Sequence, residues 1–236
     1  MRWLGFYWLS SSIVLGLSCK VTLTTVSDSV HSFIYLASQS PRRQELLKQL
    51  GVRFEMLAAT PGEEAESIEV PLPHEKARDY VERVTLAKSE AAFVRWQKSG
   101  LAWAPILCAD TTVSIPNSSD AEILGKPSNA EDAARILNLL SAKIHEVLTA
   151  VAITLHPQEA PICIVQVSKV QLADLSQDQI NAYIASGEPF GKAGAYGIQG
   201  LGGAFIPSIQ GSYSGIMGLP LYETAQLLKR ARVTCI

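Results

Sequence analysis

Little in this sequence points to thiolate, disulfide or histidine chemistry. Its four cysteines (Cys19, Cys108, Cys163, Cys235) are scattered and form no CxxC pair, which argues against a zinc site or a disulfide framework. Cys108 and Cys163 fall in apolar runs and read as small buried residues of strands. The four histidines (His31, His74, His145, His156) show no metal-binding spacing, and His145, inside an apolar strand, reads as a satisfied core residue. Charge is sparse too. Charged residues make up 18% of the chain and the net charge is −2, so nothing attracts nucleic acid or an anionic membrane overall. Any anion site must be local. No GxGxxG turn stands in a dinucleotide-binding context and no GxxxxGK(S/T) loop occurs, which disfavours hydride transfer and P-loop nucleotide hydrolysis. Repeats and low-complexity segments are also missing.

What is present suits a globular protein. The chain has 236 residues, 47% of them hydrophobic, enough for one large domain or two small lobes around a shared cleft. From Trp3 to Cys19 there is no charge, with Arg2 before and Lys20 after, as in a secretory signal. That run is short for a membrane span of about 20 apolar residues, and Ser10, Ser11 and Ser12 dilute it. Residues 1–32 are expected to lie outside the fold, as an upstream extension or a signal-like segment, with residues 33–236 forming the domain.

The stretch that organises the rest is Leu36–Gly51, LASQSPRRQELLKQLG. A β-rich approach, Phe33 to Leu36, stops at small polar residues and turns into a helix, with Ser40 as N-cap and Pro41 at the first helical position. Leu46, Leu47 and Leu50 give that helix an apolar face, and Gly51 ends it. Ser38, Gln39 and Ser40 therefore sit at a helix N-terminus beside Arg42 and Arg43, a setting suited to phosphate. An ordinary strand–turn–helix with two solvated arginines reads equally well from this stretch alone.

Downstream, a strand is expected over Val52–Ala58, then an acidic loop from Pro61 to Glu66. A long helix follows from about His74 to Lys98, with Ala77, Tyr80, Val81, Val84, Ala87, Ala91 and Val94 at helical spacing. Pro105–Ala109 reads as a buried strand ending on Asp110, extended onward from Thr111 to Ile115. Ser128–Glu131 signals a capping box for a helix over Ala130–Leu140. Glu146–Leu155 and Ile162–Leu172 read as adjacent strands or a hairpin. Ser176–Gln179 starts another capped helix that ends at Gly187, and Pro220 begins the last one, with Leu221, Ala225 and Leu228 docking on the body. Ten of the sixteen glycines fall between Gly187 and Gly218, a density suited to backbone that bends sharply or approaches a ligand. Strands alternating with helices indicate an α/β sheet covered by helices.

Asp110 follows an apolar strand directly, and the carboxyl ends of strands border the ligand crevice in open α/β sheets. A carboxylate there can hold a divalent cation or act as a general base toward water. On its own it reads as readily as a structural turn residue. Lys126 and Lys192 lie in glycine-flanked loops where an ammonium reaches an anion, and Lys88, after Leu86 and Ala87, is placed to point inward.

Taken in order, Leu36–Arg43 (LASQSPRR), Ala109-Asp110-Thr111, Leu124-Gly125-Lys126-Pro127 and Lys192–Gly200 (KAGAYGIQG) resemble the Maf family of nucleoside triphosphate pyrophosphatases. The resemblance runs from about Phe33 to the C-terminus. It implies a mixed central sheet flanked by helices, in two lobes around a deep cleft as in the inosine triphosphatase-like proteins, and commonly a homodimer. It also implies hydrolysis between the α- and β-phosphates of a nucleoside triphosphate, with Mg²⁺ or Mn²⁺, in the cytoplasm. The N-terminal segment leaves a membrane-tethered or exported form open through residues 1–20. By the same resemblance Asp110 is the base and a metal ligand, with Glu64 as the second ligand. Ser38, Arg42, Arg43, Lys88, Lys126 and Lys192 meet the triphosphate, and Arg42, Thr111 and Gln199 are specificity positions. The branch carrying glutamine at the last of these acts on dTTP and UTP, and one with glutamate prefers methylated GTP. An amide offers a donor and an acceptor to the O4 and N3–H edge of thymine or uracil. A regulator of cell division that binds nucleotide with little turnover is the alternative the family suggests. The chain departs from the family pattern at Glu63-Glu64 (usually Asp-Glu), at Ala142 (usually glycine) and at Gly191 (usually aspartate).

Overall fold

The computed structural model describes residues 30–57, 59, 68–116 and 123–234. The short apolar run Ile34–Leu36 (β1) is wholly buried and runs parallel to Phe54–Met56 (β2) on one side and to Ile106–Ser114 (β3) on the other. Ile144–Thr154 (β5) pairs antiparallel with β3 and forms a hairpin with Ile162–Gln171 (β6). Ser208–Gln210 (β7) adds to the far edge, and Ile123–Leu124 (β4) pairs with the end of β3. The result is a seven-stranded mixed sheet in the order β2-β1-β3-β5-β6-β7, with β4 on β3.

Successive residues of a strand face opposite sides, and in β3 both sides are covered. The helix Ala77–Ser99 (α2) packs on one side, where Val81 and Val84 meet Leu148 and Ala150. Two separate apolar clusters form the other side. One gathers Leu46 and Leu47 of Pro41–Gln49 (α1) and Leu227 and Leu228 of Leu221–Arg230 (the last helix) onto Leu36, Leu107 and Val151. The second joins Ile136 and Leu137 of Ala130–Leu140 (α3) and Ile180 of Gln177–Ala185 (α4) to Val113 and Val147. Between these two clusters the strand register sets Thr111 opposite Thr149, a polar seam between two lobes. A short helix, Tyr213–Met217 (α5), closes over that seam, and Leu221–Arg230 follows it as α6.

Several local expectations need correction. Ser40 is the N-cap of α1 by backbone conformation, but its side chain caps nothing; Ser38 Oγ accepts from the Ser40 amide instead, at 3.2 Å. The α3 cap is Asn129, which accepts from the Asp132 amide at 2.8 Å, so the Ser128–Glu131 reading is off by one residue. Helix α2 begins at Ala77, three residues late, because His74 is held at φ 58°. In α2 the expected apolar stripe splits: Ser89 and Ala92 complete the core face, whereas Ala87, Ala91 and Val94 line a cleft. Cys163 is half-buried rather than buried, because Ile162–Val167 of β6 lack a neighbour on their outer side among the described residues. The capping box at Ser176 is complete on both arms.

Candidate active site

The cleft exists because two strands are short. β1 stops pairing with β3 at Leu107 and β4 starts only at Val113, so the β3 edge from Cys108 to Thr112 has no ladder partner on that side among the described residues. Asp110 from one face and Thr111 from the other both open into the gap, a cavity of about 1620 Å³. Ser38 to Arg43 at the start of α1 form its floor. One wall is α2, with Lys88; the opposite wall is the glycine-rich segment from Phe190 to Gln199. Lys126 lies at the rim, just after β4. Every described residue that the sequence reading assigned to the site therefore lines one cavity.

Asp110 is 8% exposed, and its Oδ1 accepts from Lys88 Nζ at 2.7 Å. The same ammonium donates to Glu69 Oε1 at 2.6 Å, and Glu69 Oε2 accepts from Lys126 Nζ at 3.0 Å. Burial works against the Glu69 charge, yet Lys88 and Lys126 together hold its carboxyl below the usual range. Glu69 was not singled out from sequence, where it is one of four glutamates between residues 63 and 69 with nothing to distinguish it. Glu63 and Glu64 lie outside the described residues, as does the expected acidic loop.

The two arginines do different things. Arg43 is committed within the protein: Nε donates to the Gly218 carbonyl at 2.8 Å, Nη1 to Ser38 Oγ at 3.1 Å and Nη2 to Thr111 Oγ1 at 3.4 Å. Arg42 lines the cleft and, among the described residues, makes no hydrogen bond. Burial pulls both below the usual arginine range, and Asp110 opposes that at Arg43. Guanidinium groups stay charged regardless.

The hydroxyl pattern follows by elimination. Thr149 Oγ1 donates to the Gly215 carbonyl at 2.8 Å, so in its 3.0 Å bond with Thr111 the donor is Thr111. Thr111 thus offers the cleft a lone pair and no proton. Ser38 is the reverse: its oxygen accepts from Ser40 N and Arg43 Nη1, leaving its own proton for an anion in the cleft.

On the far wall, Lys192 Nζ donates to the Glu188 carbonyl; burial and then Arg42 lower its pKa, while Glu188 opposes. Gln199 lines the cleft with its amide unbonded among the described residues. Gly194 must be glycine twice over. Its φ is 72°, and a Cβ there would sit 2.8 Å from Val113 Cγ2. Its amide bonds the Gly125 carbonyl at 3.0 Å, tying the glycine-rich segment to the Lys126 loop. His145 is fully buried and shares a 2.7 Å hydrogen bond with Tyr196 Oη, which fastens the same segment to β5. The core placement expected for it holds, but only Nε2 is paired: Nδ1 is buried without a hydrogen-bond partner among the described residues. Among the described residues no cluster of three or more His, Cys, Asp and Glu side chains could hold a metal ion, and no helix is long and apolar enough to cross a membrane.

Residues 33–231 match the family described as Maf-like protein. A dTTP/UTP pyrophosphatase of Burkholderia lata is 56% identical over 200 residues, covering 85% of this chain and 93% of that protein. One of Ralstonia nicotianae is 54% identical over 204 residues, covering 86% and 96%. Among solved structures, the Staphylococcus aureus Ham1 protein overlaps 60% of this chain and 72% of that one at a TM-score of 0.38 and 13% identity, too distant a likeness to bear on function. With the family match spanning the sheet, the cleft and the relatives alike, this chain belongs to the Maf family.

Proposed function

We propose that this protein hydrolyses the α–β phosphoanhydride of nucleoside triphosphates, dTTP and UTP foremost, to the monophosphate and pyrophosphate, clearing nucleotides from the pool. The names of its relatives support the substrate pair. The observation that carries the chemistry is Asp110: a carboxylate at the open edge of β3, held by Lys88, in a cavity whose lining cations include Arg42, Lys126 and Lys192.

Water enters beside Asp110, which takes its proton as the oxygen attacks the α-phosphorus. The bond to the bridging oxygen breaks, and pyrophosphate leaves with the electron pair. Arg42, Lys126 and Lys192 surround the growing negative charge, and Ser38 donates its remaining proton to a phosphate oxygen. Gln199 presents an amide donor and acceptor to the pyrimidine edge, and Thr111 presents an acceptor.

The residues present also fit a divalent cation. Asp110 and Glu69 converge on one ammonium, at 2.7 and 2.6 Å, so two carboxylates already face a single point of positive charge. Mg²⁺ is held in this way, by one or two carboxylates together with substrate phosphates. Asp110 and Glu69 would hold it, and it would neutralise phosphate oxygens. Glu64 keeps its place as a further ligand on the family resemblance alone. The homodimer, the cytoplasmic site of action and residues 33–236 as the functional unit belong to the same reading, supported by the family and by the location of such substrates; light scattering on the purified protein tests the dimer.

The experiment is pyrophosphate release from dTTP and UTP with Mg²⁺, wild type against Asp110→Asn. Loss of the base is expected to cost about 10²–10⁴-fold in rate. Equal rates would remove Asp110 from the mechanism. Release of orthophosphate would mean a different phosphatase, and binding without release would mean a regulator.

A further inference from the structure

We infer that Glu188 is the positioning residue of the far wall: its carboxylate is the internal anion around which the glycine-rich segment is wrapped, and it thereby sets where Gln199 stands. The inference rests on the pyrophosphatase reading above. Glu188 does not line the cleft, so it acts through its neighbours. Oε1 accepts from Tyr183 Oη at 2.9 Å and from the Gly202 amide at 3.1 Å, and Oε2 accepts from the Leu201 amide at 2.8 Å. Tyr183 Oη in turn accepts from the Gly197 amide at 3.1 Å. Gln199 is thus bracketed, with Gly197 fastened before it and Leu201 and Gly202 after it. The carbonyl of the same Glu188 holds Lys192 Nζ.

The glycines show how closely the chain is fitted to this group. A Cβ at Gly200 would collide with the Glu188 carboxylate, and one at Gly202 would stand 2.6 Å from Tyr183 Oη. At Gly197 it would stand 2.9 Å from Lys192 Cε. Close backbone approach is the reason for glycine here, and what the backbone approaches is its own glutamate. Chemistry supplies the functional consequence. The Gln199 amide can match the O4 and N3–H edge of uracil or thymine better than the edge of cytosine only from a fixed position, so loosening the backbone that carries it is expected to reduce that discrimination.

Glu188→Gln puts an NH₂ where an N–H donor must be accepted, which breaks part of the bracket. Tyr183→Phe removes one anchor and leaves the carboxylate, as a milder variant should the first fold poorly. For each, pyrophosphate release is measured with UTP and with CTP, together with backbone amide exchange over residues 197–202 and the melting temperature. Glu188→Gln is expected to speed exchange over 197–202, to raise KM for UTP by about 10- to 10²-fold, and to lower the UTP-to-CTP ratio of kcat/KM by about tenfold, with Tyr183→Phe intermediate. A merely structural role would lower the melting temperature and scale both nucleotides together. An unchanged ratio in a folded variant, or unchanged exchange, overturns the inference and leaves the pyrophosphatase reading standing. A wild type that releases no pyrophosphate overturns both.

Discussion

Lys88 Nζ stands 2.7 Å from Asp110 Oδ1 with the two side chains only 20% and 12% exposed, so the pair is largely withdrawn from water. Removing one partner of such a pair strands a desolvated charge. At Lys88 the effect is compounded, because Glu69 shares the ammonium and would be left facing Asp110. Lys88→Met is therefore expected to lower stability by ~3 kcal/mol in urea unfolding, as well as to abolish turnover. Lys126, 56% exposed on the same Glu69, gives a contrast: Lys126→Met should cost under ~1 kcal/mol of stability while raising KM for the triphosphate. Equal stability losses would place Glu69 rather than Asp110 at the centre of the network.

Arg42 and Arg43 adjoin in sequence and divide the work. Arg42→Ala is expected to reduce kcat/KM by the equivalent of ~1.5–3 kcal/mol, the scale of a charged hydrogen bond, with an unchanged melting temperature. Arg43→Ala should lower both, since it releases the Gly218 carbonyl, Ser38 and Thr111 at once. Steady-state kinetics with thermal unfolding separates the two, and a stable, inactive Arg43→Ala would mean that Arg43 touches substrate directly.

Gln199→Glu replaces a donor–acceptor amide by an acceptor-only group at the cleft wall. The expected result is lower kcat/KM for dTTP and UTP, with a gain relative to them for methylated GTP, whose N1–H and N2 amino groups donate. A nucleotide panel scored by pyrophosphate release reads this. An unaltered preference would move base recognition elsewhere in the cleft.

Legibility from sequence followed the range of the forces involved. Helix α3 and the complete box at Ser176 were readable because caps and periodicity act within a few residues. Lys88 was readable as inward-pointing from its apolar neighbours in the helix. Glu69 and Glu188 were not. Each is defined by partners brought from elsewhere in the chain, such as Lys126 for Glu69 or Leu201 and Gly202 for Glu188. The split stripe of α2 was hidden for another reason. Ala87 and Ala91 are apolar whether they meet a core or a cleft, and only the gap at the β3 edge decides which.

Ala142, where the family usually has glycine, is held at φ 57° in the turn between α3 and β5. Its amide bonds the Ala173 carbonyl at 3.0 Å, so the turn is fastened and the strain is retained. The left-handed region costs a residue with a Cβ about 1 kcal/mol, and glycine escapes it. Ala142→Gly is expected to raise stability by up to ~1 kcal/mol, less the entropy that glycine adds to the unfolded chain, with activity unchanged. A clear loss of stability would show that the Ala142 methyl contributes packing that outweighs its conformation.

His145 gives the protein an acid-sensitive fastening. Burial depresses its pKa from 6.5 to about 4, with the nearby Lys143 backbone pulling weakly the other way. Since the unfolded chain takes up this proton first, unfolding binds protons between about pH 6.5 and 4, and stability falls as pH drops through that window. Above pH 6.5 the contribution is fully present; at the low end about 3 kcal/mol has been lost. The bond to Tyr196 Oη carries the effect to the glycine-rich wall, so acid should loosen the side of the cleft that holds Lys192 and Gln199. Urea unfolding at pH 7.5, 6 and 4.5 is expected to show the decline, and His145→Gln, which cannot titrate there, should flatten it at a lower overall stability. A decline of equal slope in the variant would assign the acid sensitivity to the carboxylates, with Glu69 and its two lysines the first place to look.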